Sequence, residues 1–67
     1  MKGFACLTCL ASGRDIYINP SHIVWISPAQ SDGREFTSIH LIDNTTVTVK
    51  ENIGYVEEEI KITEVLE

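Results

Sequence analysis

Two β-branched runs joined by an Asn-Pro turn, and two more joined by an Asp-Asn turn, leave this chain few folds to choose from. The first block is Asp15-Ile16-Tyr17-Ile18-Asn19-Pro20-Ser21-His22-Ile23-Val24-Trp25-Ile26. It is answered by Thr37-Ser38-Ile39-His40-Leu41 and by Val47-Thr48-Val49-Lys50-Glu51. β-Branched and aromatic residues suit a pleated, half-buried surface, and Asn and Pro punctuate it. The pattern is that of consecutive antiparallel strands.

Residues 4–11 read as a first strand, with Ala5, Leu7 and Cys9 on one face and Phe4, Cys6, Thr8 and Leu10 on the other. Ser12-Gly13-Arg14-Asp15 turns the chain, and residues 16–18 return with Ile16 and Ile18 inward and Tyr17 outward. That strand ends at Asn19 and Pro20, because Pro20 has no N–H for a ladder and Asn19 can bond the backbone two residues on. Residues 22–27 form the third strand, with Ile23 and Trp25 facing one way and Val24 and Ile26 the other. A strand apolar on both faces is usually covered on both, either by its own helix and sheet or by another copy of the chain, which is the best hint of a dimer. Residues 28–35 are polar and read as a flexible hairpin loop longer than the two-residue minimum.

Residues 36–42 form the fourth strand, with Ile39 and Leu41 inward and Ser38 and His40 outward. Asp43-Asn44-Thr45 is a tight turn, and residues 46–50 return as the fifth strand with Val47 and Val49 inward. From Glu51 the period changes to about 3.6. Ile53, Val56 and Ile60 recur at spacings of three and four, opposite Glu57, Glu58 and Glu59. Gly54 weakens this helix by about 1 kcal/mol relative to Ala. Residues 60–67 read either as more helix or as a short sixth strand, since Ile60-Lys61-Ile62-Thr63 is β-branched and alternating.

At 67 residues and 7.5 kDa the chain makes one domain, 1–67, with the sheet over 4–50 and an acidic helix and tail over 51–67. Its core is near the lower limit for a fold without staples, which keeps oligomerisation open. The charge is uneven. Lys2, Arg14, Arg34 and Lys50 cancel Asp15, Asp32, Glu35 and Asp43, so the net −5 lies wholly in residues 51–67. Phosphate backbones repel such a tail and no basic stripe offsets it, so nucleic acid is not the expected partner. No apolar run reaches the roughly 18 residues that cross a bilayer, which argues against membrane insertion. The short segment at 4–11 fits a strand better than a leader, so the reading is a cytoplasmic protein with reduced thiols.

Nothing in the chain assembles a catalytic, metal or cofactor site. Cys6-Leu7-Thr8-Cys9 lacks further ligands at finger spacing, since His22 and His40 are the other soft candidates and lie far apart. A redox pair needs a thiol at a helix N-terminus, whereas this pair reads as mid-strand, so both cysteines are expected to pack. His22 and His40 have no nucleophile and orienting acid at a specified spacing. Asp15, Asp32, Glu35 and Asp43 fall in turns, and Gly13 and Gly33 are isolated, which removes paired carboxylates and phosphate-cradling loops. The expectation is a non-enzymatic protein. Tyr17 and Trp25 remain as recognition aromatics, although Trp25 reads more readily as core.

With these residues laid out, the chain resembles the small FlbD-like flagellar and swarming-motility proteins of bacteria. The resemblance rests on Leu7-Thr8, Gly13, the Ile16-Tyr17-Ile18-Asn19-Pro20 block, and Ile23 with Ile26. It continues through Thr37, Ile39 and Leu41, then Asp43-Asn44, then Val49-Lys50-Glu51 leading to Val56 and Ile60. It covers about residues 6–60; the Cys-x-x-Cys, the segment 30–35 and the extra tail depart from the family pattern. It implies a non-enzymatic accessory protein in motor or motility regulation and carries no catalytic residues.

The expected architecture is α+β. One antiparallel five-stranded sheet, strongly twisted and able to close into a barrel, carries a C-terminal helix. The expected function is protein–protein interaction as a homodimer or larger assembly. Tyr17, Asn19, Pro20, Trp25, Lys50 and Glu51 are the candidate contact residues. The alternative is an acidic inhibitor or nucleic-acid mimic, such as a mobile element encodes, that blocks a partner's basic groove with Glu57, Glu58, Glu59 and Glu64.

Overall fold

A computed structural model describes residues 3–66. Its elements run β1 (Ala5–Thr8), β2 (Asp15–Ile18), a 3₁₀ turn (Pro20–His22), β3 (Ile23–Ser31), β4 (Arg34–Leu41), β5 (Thr46–Val49) and α1 (Ile53–Leu66). The class is α+β. The five strands do not make the single sheet expected from the sequence: β1 and β2 pair in one antiparallel sheet and β3, β4 and β5 in another.

A seam joins the two sheets. Past Thr8, Cys9 bridges Val49, Leu10 N–H donates to Thr48 O and Lys50 N–H donates to Thr8 O, both at 2.9 Å. β1 is too short to form a full ladder with β5, because the chain leaves it at Cys9 for the turn into β2. In that turn Gly13 N–H donates to Cys9 O at 2.8 Å and Gly13 takes φ +73°, a conformation that favours glycine.

The second correction lies between β3 and β4. The polar residues 28–31 continue β3, and 34–35 already belong to β4, so the hairpin turns on Asp32-Gly33 alone. Asp32 has φ +52° and Gly33 φ +77°, the paired positive values of a two-residue turn whose twist matches the strands. Polarity misleads here because β3 is an edge strand and its solvent side needs no apolar residues.

β3 also carries a bulge. Ile23 pairs with Leu41 and Trp25 with His40, leaving Val24 as the extra residue. The expected split of Ile23 and Trp25 against Val24 and Ile26 is therefore wrong. Ile23 and Ile26 pack on the core, while Val24 and Trp25 are exposed.

The core is Leu7, Ile18, Ile39, Val49 and Val56, flanked by Ile16, Ile23, Ile26, Leu41, Val47 and Ile60. Helix α1 closes it, resting on β1, β4, β3 and the 3₁₀ turn. It starts two residues later than its period suggests, because Asn52 caps it: Tyr55 N–H donates to Asn52 Oδ1 at 2.9 Å. The tail continues as helix to Leu66, and Glu67 lies outside the described residues. Among the described residues no helix is long and apolar enough to cross a membrane.

Candidate interaction surface

The outer side of the three-stranded sheet is built around Trp25. Trp25 stands out from the core by alternation from the inward Ile26, opposite His40 on β4, and the bulge at Val24 turns Ile23 back onto the core. Their rings stack with centroids 3.6 Å apart and planes 9° from parallel. His40 in turn pairs with Thr46 on β5, and its Nδ1 shares a 3.2 Å hydrogen bond with Thr46 Oγ1. The imidazole is held on one side by an indole and at its edge by a hydroxyl.

Apolar surface gathers around this stack. Trp25 is 53% exposed, Val24 60% and Ile42 62%. Val24, Trp25, His40 and Thr46 line a shallow hollow of about 160 Å³, and Leu41 joins it to a second hollow that holds His22, Ile42 and Asp43. Hydrogen bonds from the Thr45 hydroxyl and N–H hold the Asp43 carboxyl below its usual range. A large aromatic held in one orientation is an anchor of the kind that dominates protein–protein contacts.

The other candidates are not drawn into one site. Tyr17 is 54% exposed on β2, in the other sheet, opposite the exposed Cys6. Asn19 and Pro20 shape the 3₁₀ turn: Asn19 Oδ1 accepts from Ser21 N–H at 3.0 Å and Ser21 Oγ at 2.8 Å, and Pro20 opens the turn. Glu51 is a clip. Its Oε1 accepts from Thr8 N–H at 3.0 Å and its Oε2 from Thr8 Oγ1 at 2.9 Å, while its carbonyl accepts from the buried Thr37 Oγ1 at 2.8 Å. Lys50 is exposed beside it. Glu57 and Glu58 are exposed on α1, and Glu59 is half-buried.

Cys9 is placed differently from its expected mid-strand position. It sits in the turn after β1, half-buried, where the Ser12 N–H and hydroxyl and the Ala11 N–H hold its thiol below the usual value. Among the described residues no group of three or more His, Cys, Asp or Glu is arranged to hold a metal ion.

Sequence reasoning missed His40 as the partner of Trp25. The signal was the Asp32-Gly33 dipeptide, since pairing outward from a two-residue turn there brings Trp25 opposite His40. Comparison of the chain with protein-family models, with curated proteins and with solved structures gives no match in any of the three.

Proposed function

We propose that this chain is a non-enzymatic bacterial protein that acts in the cytoplasm by binding another protein. The observation that carries the reading is the exposed Trp25, stacked on His40 and surrounded by Val24 and Ile42. An aromatic half exposed among other exposed apolar side chains gains by being covered, and its burial against a partner would be favourable by roughly 1.5–3 kcal/mol. The resemblance to FlbD-like proteins supplies the setting, an accessory role in flagellar or swarming motility.

The test uses wild type and Trp25→Ala as baits in lysate of the native host. A partner retained by wild type and lost by Trp25→Ala, with the bait still folded and melting cooperatively, supports the reading. Equal retention removes this face as the binding site. Trp25 is the sole tryptophan, so a blue shift of its emission on adding the purified partner reports its burial directly. Deleting the gene tests the setting separately: unchanged swarming removes motility and leaves the binding reading standing.

The second reading, an acidic inhibitor, draws on the exposed Glu57 and Glu58. It requires partner binding that weakens steeply with salt and is lost on charge reversal of those glutamates, with Trp25→Ala without effect.

A further inference from the structure

With the seam joining β1 to β5, the strands run in the order β2, β1, β5, β4, β3, and the outer edges are β2 and β3. Two sets of bonds fix which backbone groups of β2 point outward. Cys9 N–H donates to Arg14 O at 2.9 Å, which makes that pair, and by alternation Leu7–Ile16 and Ala5–Ile18, the hydrogen-bonded ones. Thr8, opposite Asp15, instead turns its N–H to Glu51 Oε1 and its C=O to Lys50 N–H, on the side away from β2. By both counts Asp15 and Tyr17 direct their N–H and C=O groups away from β1, and among the described residues nothing bonds to them there.

A free edge of this kind is matched by an extended backbone, and β2 matches its own copy. Two β2 strands set antiparallel about Ile16 bring Asp15 of each opposite Tyr17 of the other, so that every outward N–H meets an outward C=O. The neighbouring registers do worse. One centred on Asp15 sets two carboxylates directly opposite each other, and one centred on Tyr17 needs Asn19, whose C=O already accepts from His22 N–H at 2.9 Å. The register about Ile16 also lays Ile16 of one copy on Ile16 of the other, on the core side, where that side chain is only half-buried. The cores of two small domains then run together. On the outer side Asp15 stands beside the exposed Tyr17, and the carboxylates meet only on the diagonal.

The other edge is guarded. Counting from the closing Ser31–Arg34 pair, the outward residues of β3 are Gln30, Pro28 and Ile26, and Pro28 offers no donor there. Further back the bulge at Val24 breaks the edge. β2 has no proline, no lysine and no bulge.

We propose that two copies of this chain pair through the free edge of β2, antiparallel about Ile16, with Asp15 and Tyr17 of each copy bonded to Tyr17 and Asp15 of the other. The contact is isologous, so assembly closes at two copies. It uses neither β3 nor Trp25 and therefore goes beyond the partner-binding reading.

Tyr17→Pro tests this, because the N–H it removes faces outward and the ladder to β1 keeps its bonds. In sedimentation velocity from micromolar to millimolar chain concentration, wild type moves from the 7.5 kDa of one chain toward twice that mass and no further, and Tyr17→Pro stays at the mass of one chain. Trp25→Ala dimerises as wild type does, which separates this contact from the proposed partner face. In amide exchange followed by NMR, Asp15 and Tyr17 slow as the concentration rises, while Ile26 and Gln30 on the β3 edge do not. A mixture of isotope-labelled and unlabelled chains gives a contact between Ile16 Hα of one copy and Ile16 Hα of the other, as the close pair at the centre requires. A wild type that stays monomeric, growth past two copies, equal dimerisation of Tyr17→Pro, or slowed amides on β3 instead of β2 would each overturn the proposal. If Tyr17→Pro loses its cooperative melt, a synthetic chain N-methylated at Tyr17 replaces it, and unchanged dimerisation of that chain overturns the proposal equally.

Discussion

The seam between the sheets and the outer face around Trp25 reverse the usual placing of polar and apolar groups. At the seam a threonine is fully buried: Thr37 is 0% exposed, yet its hydroxyl donates to Glu51 O, and Glu51 in turn holds Thr8. On the face the largest side chain of the molecule is left half in water. A buried hydroxyl without a partner costs about 1–3 kcal/mol, so its burial is stable only because the bond is made. Among the described residues no buried side-chain polar atom is left without a partner. Polar groups at the seam therefore serve the fold. The exposed aromatic makes no such contact with the core, and that difference is why the proposed partner surface is placed on this face.

The widest gap expected between the two regions is in stability. Ile39 is fully buried in the core beneath this face, and Ile39→Ala should cost about 2–5 kcal/mol. In a domain this small that is a large share of the total, which is of order 0.1 kcal/mol per residue. Trp25→Ala should cost below about 1 kcal/mol, the value of a cross-strand pair. Urea melts of both variants check the contrast. Equal losses would mean that Trp25 braces the fold, and the comparison would collapse.

Within the seam, Glu51 should matter more than any exposed charge. Glu51→Ala leaves the Thr8 N–H and hydroxyl without their carboxylate, at a cost of about 1.5–3 kcal/mol. Glu51→Gln keeps an acceptor and should lose about half as much. The Glu51→Ala/Thr8→Val pair should be strongly non-additive, because both changes remove the same contact. Additive losses would show that the clip is not what joins these positions.

Thr37→Val is a smaller probe of the same region. It keeps the volume and removes the donor to Glu51 O, for an expected loss of about 1 kcal/mol. Ser38→Val, one residue along on the outer side of β4, should stay within about 0.5 kcal/mol. If Ser38→Val proved the more damaging, the assignment of inner and outer sides on β4 would be reversed.

What the sequence disclosed follows from which signals are local. Period two put Ala5 and Leu7 on one face of the first strand and turned Ile18, Ile39 and Val49 inward, and period 3.6 set Val56 and Ile60 on the helix side opposite the glutamates; the structure has all of these facing the core. Those patterns need only neighbours a few residues away. The division into two sheets was not visible, because it depends on backbone bonds between residues about 40 positions apart, Thr8 with Lys50 and Leu10 with Thr48. The inward facing of both Ile23 and Ile26 was hidden by one extra residue between them, since the bulge at Val24 reverses the face of what precedes it and leaves Trp25 outward. Glu51, a candidate contact, is also a support for the seam, a role that no spacing along the chain reveals.

The smallest effect expected is at the turn beneath the outer face, and it is read by pH. Asp43 Oδ1 accepts from Thr45 N–H at 3.0 Å, and the Thr45 hydrogen bonds hold its carboxyl below the ordinary value of 3.8. A carboxyl lowered on folding adds stability that is present above its unfolded value and is lost as pH falls through the folded one. Wild type should therefore lose a small increment of stability on acidification below about pH 4. Asp43→Asn keeps an oxygen for Thr45 N–H and has no proton to gain, so the difference in melting temperature between it and wild type should shrink from neutral pH to about pH 3. The same turn positions Thr46, which holds the edge of His40. If the two melting curves kept a constant gap across that range, the Asp43 charge would have no part in the turn, and the support of the Trp25 face would reduce to its hydrogen bonds alone.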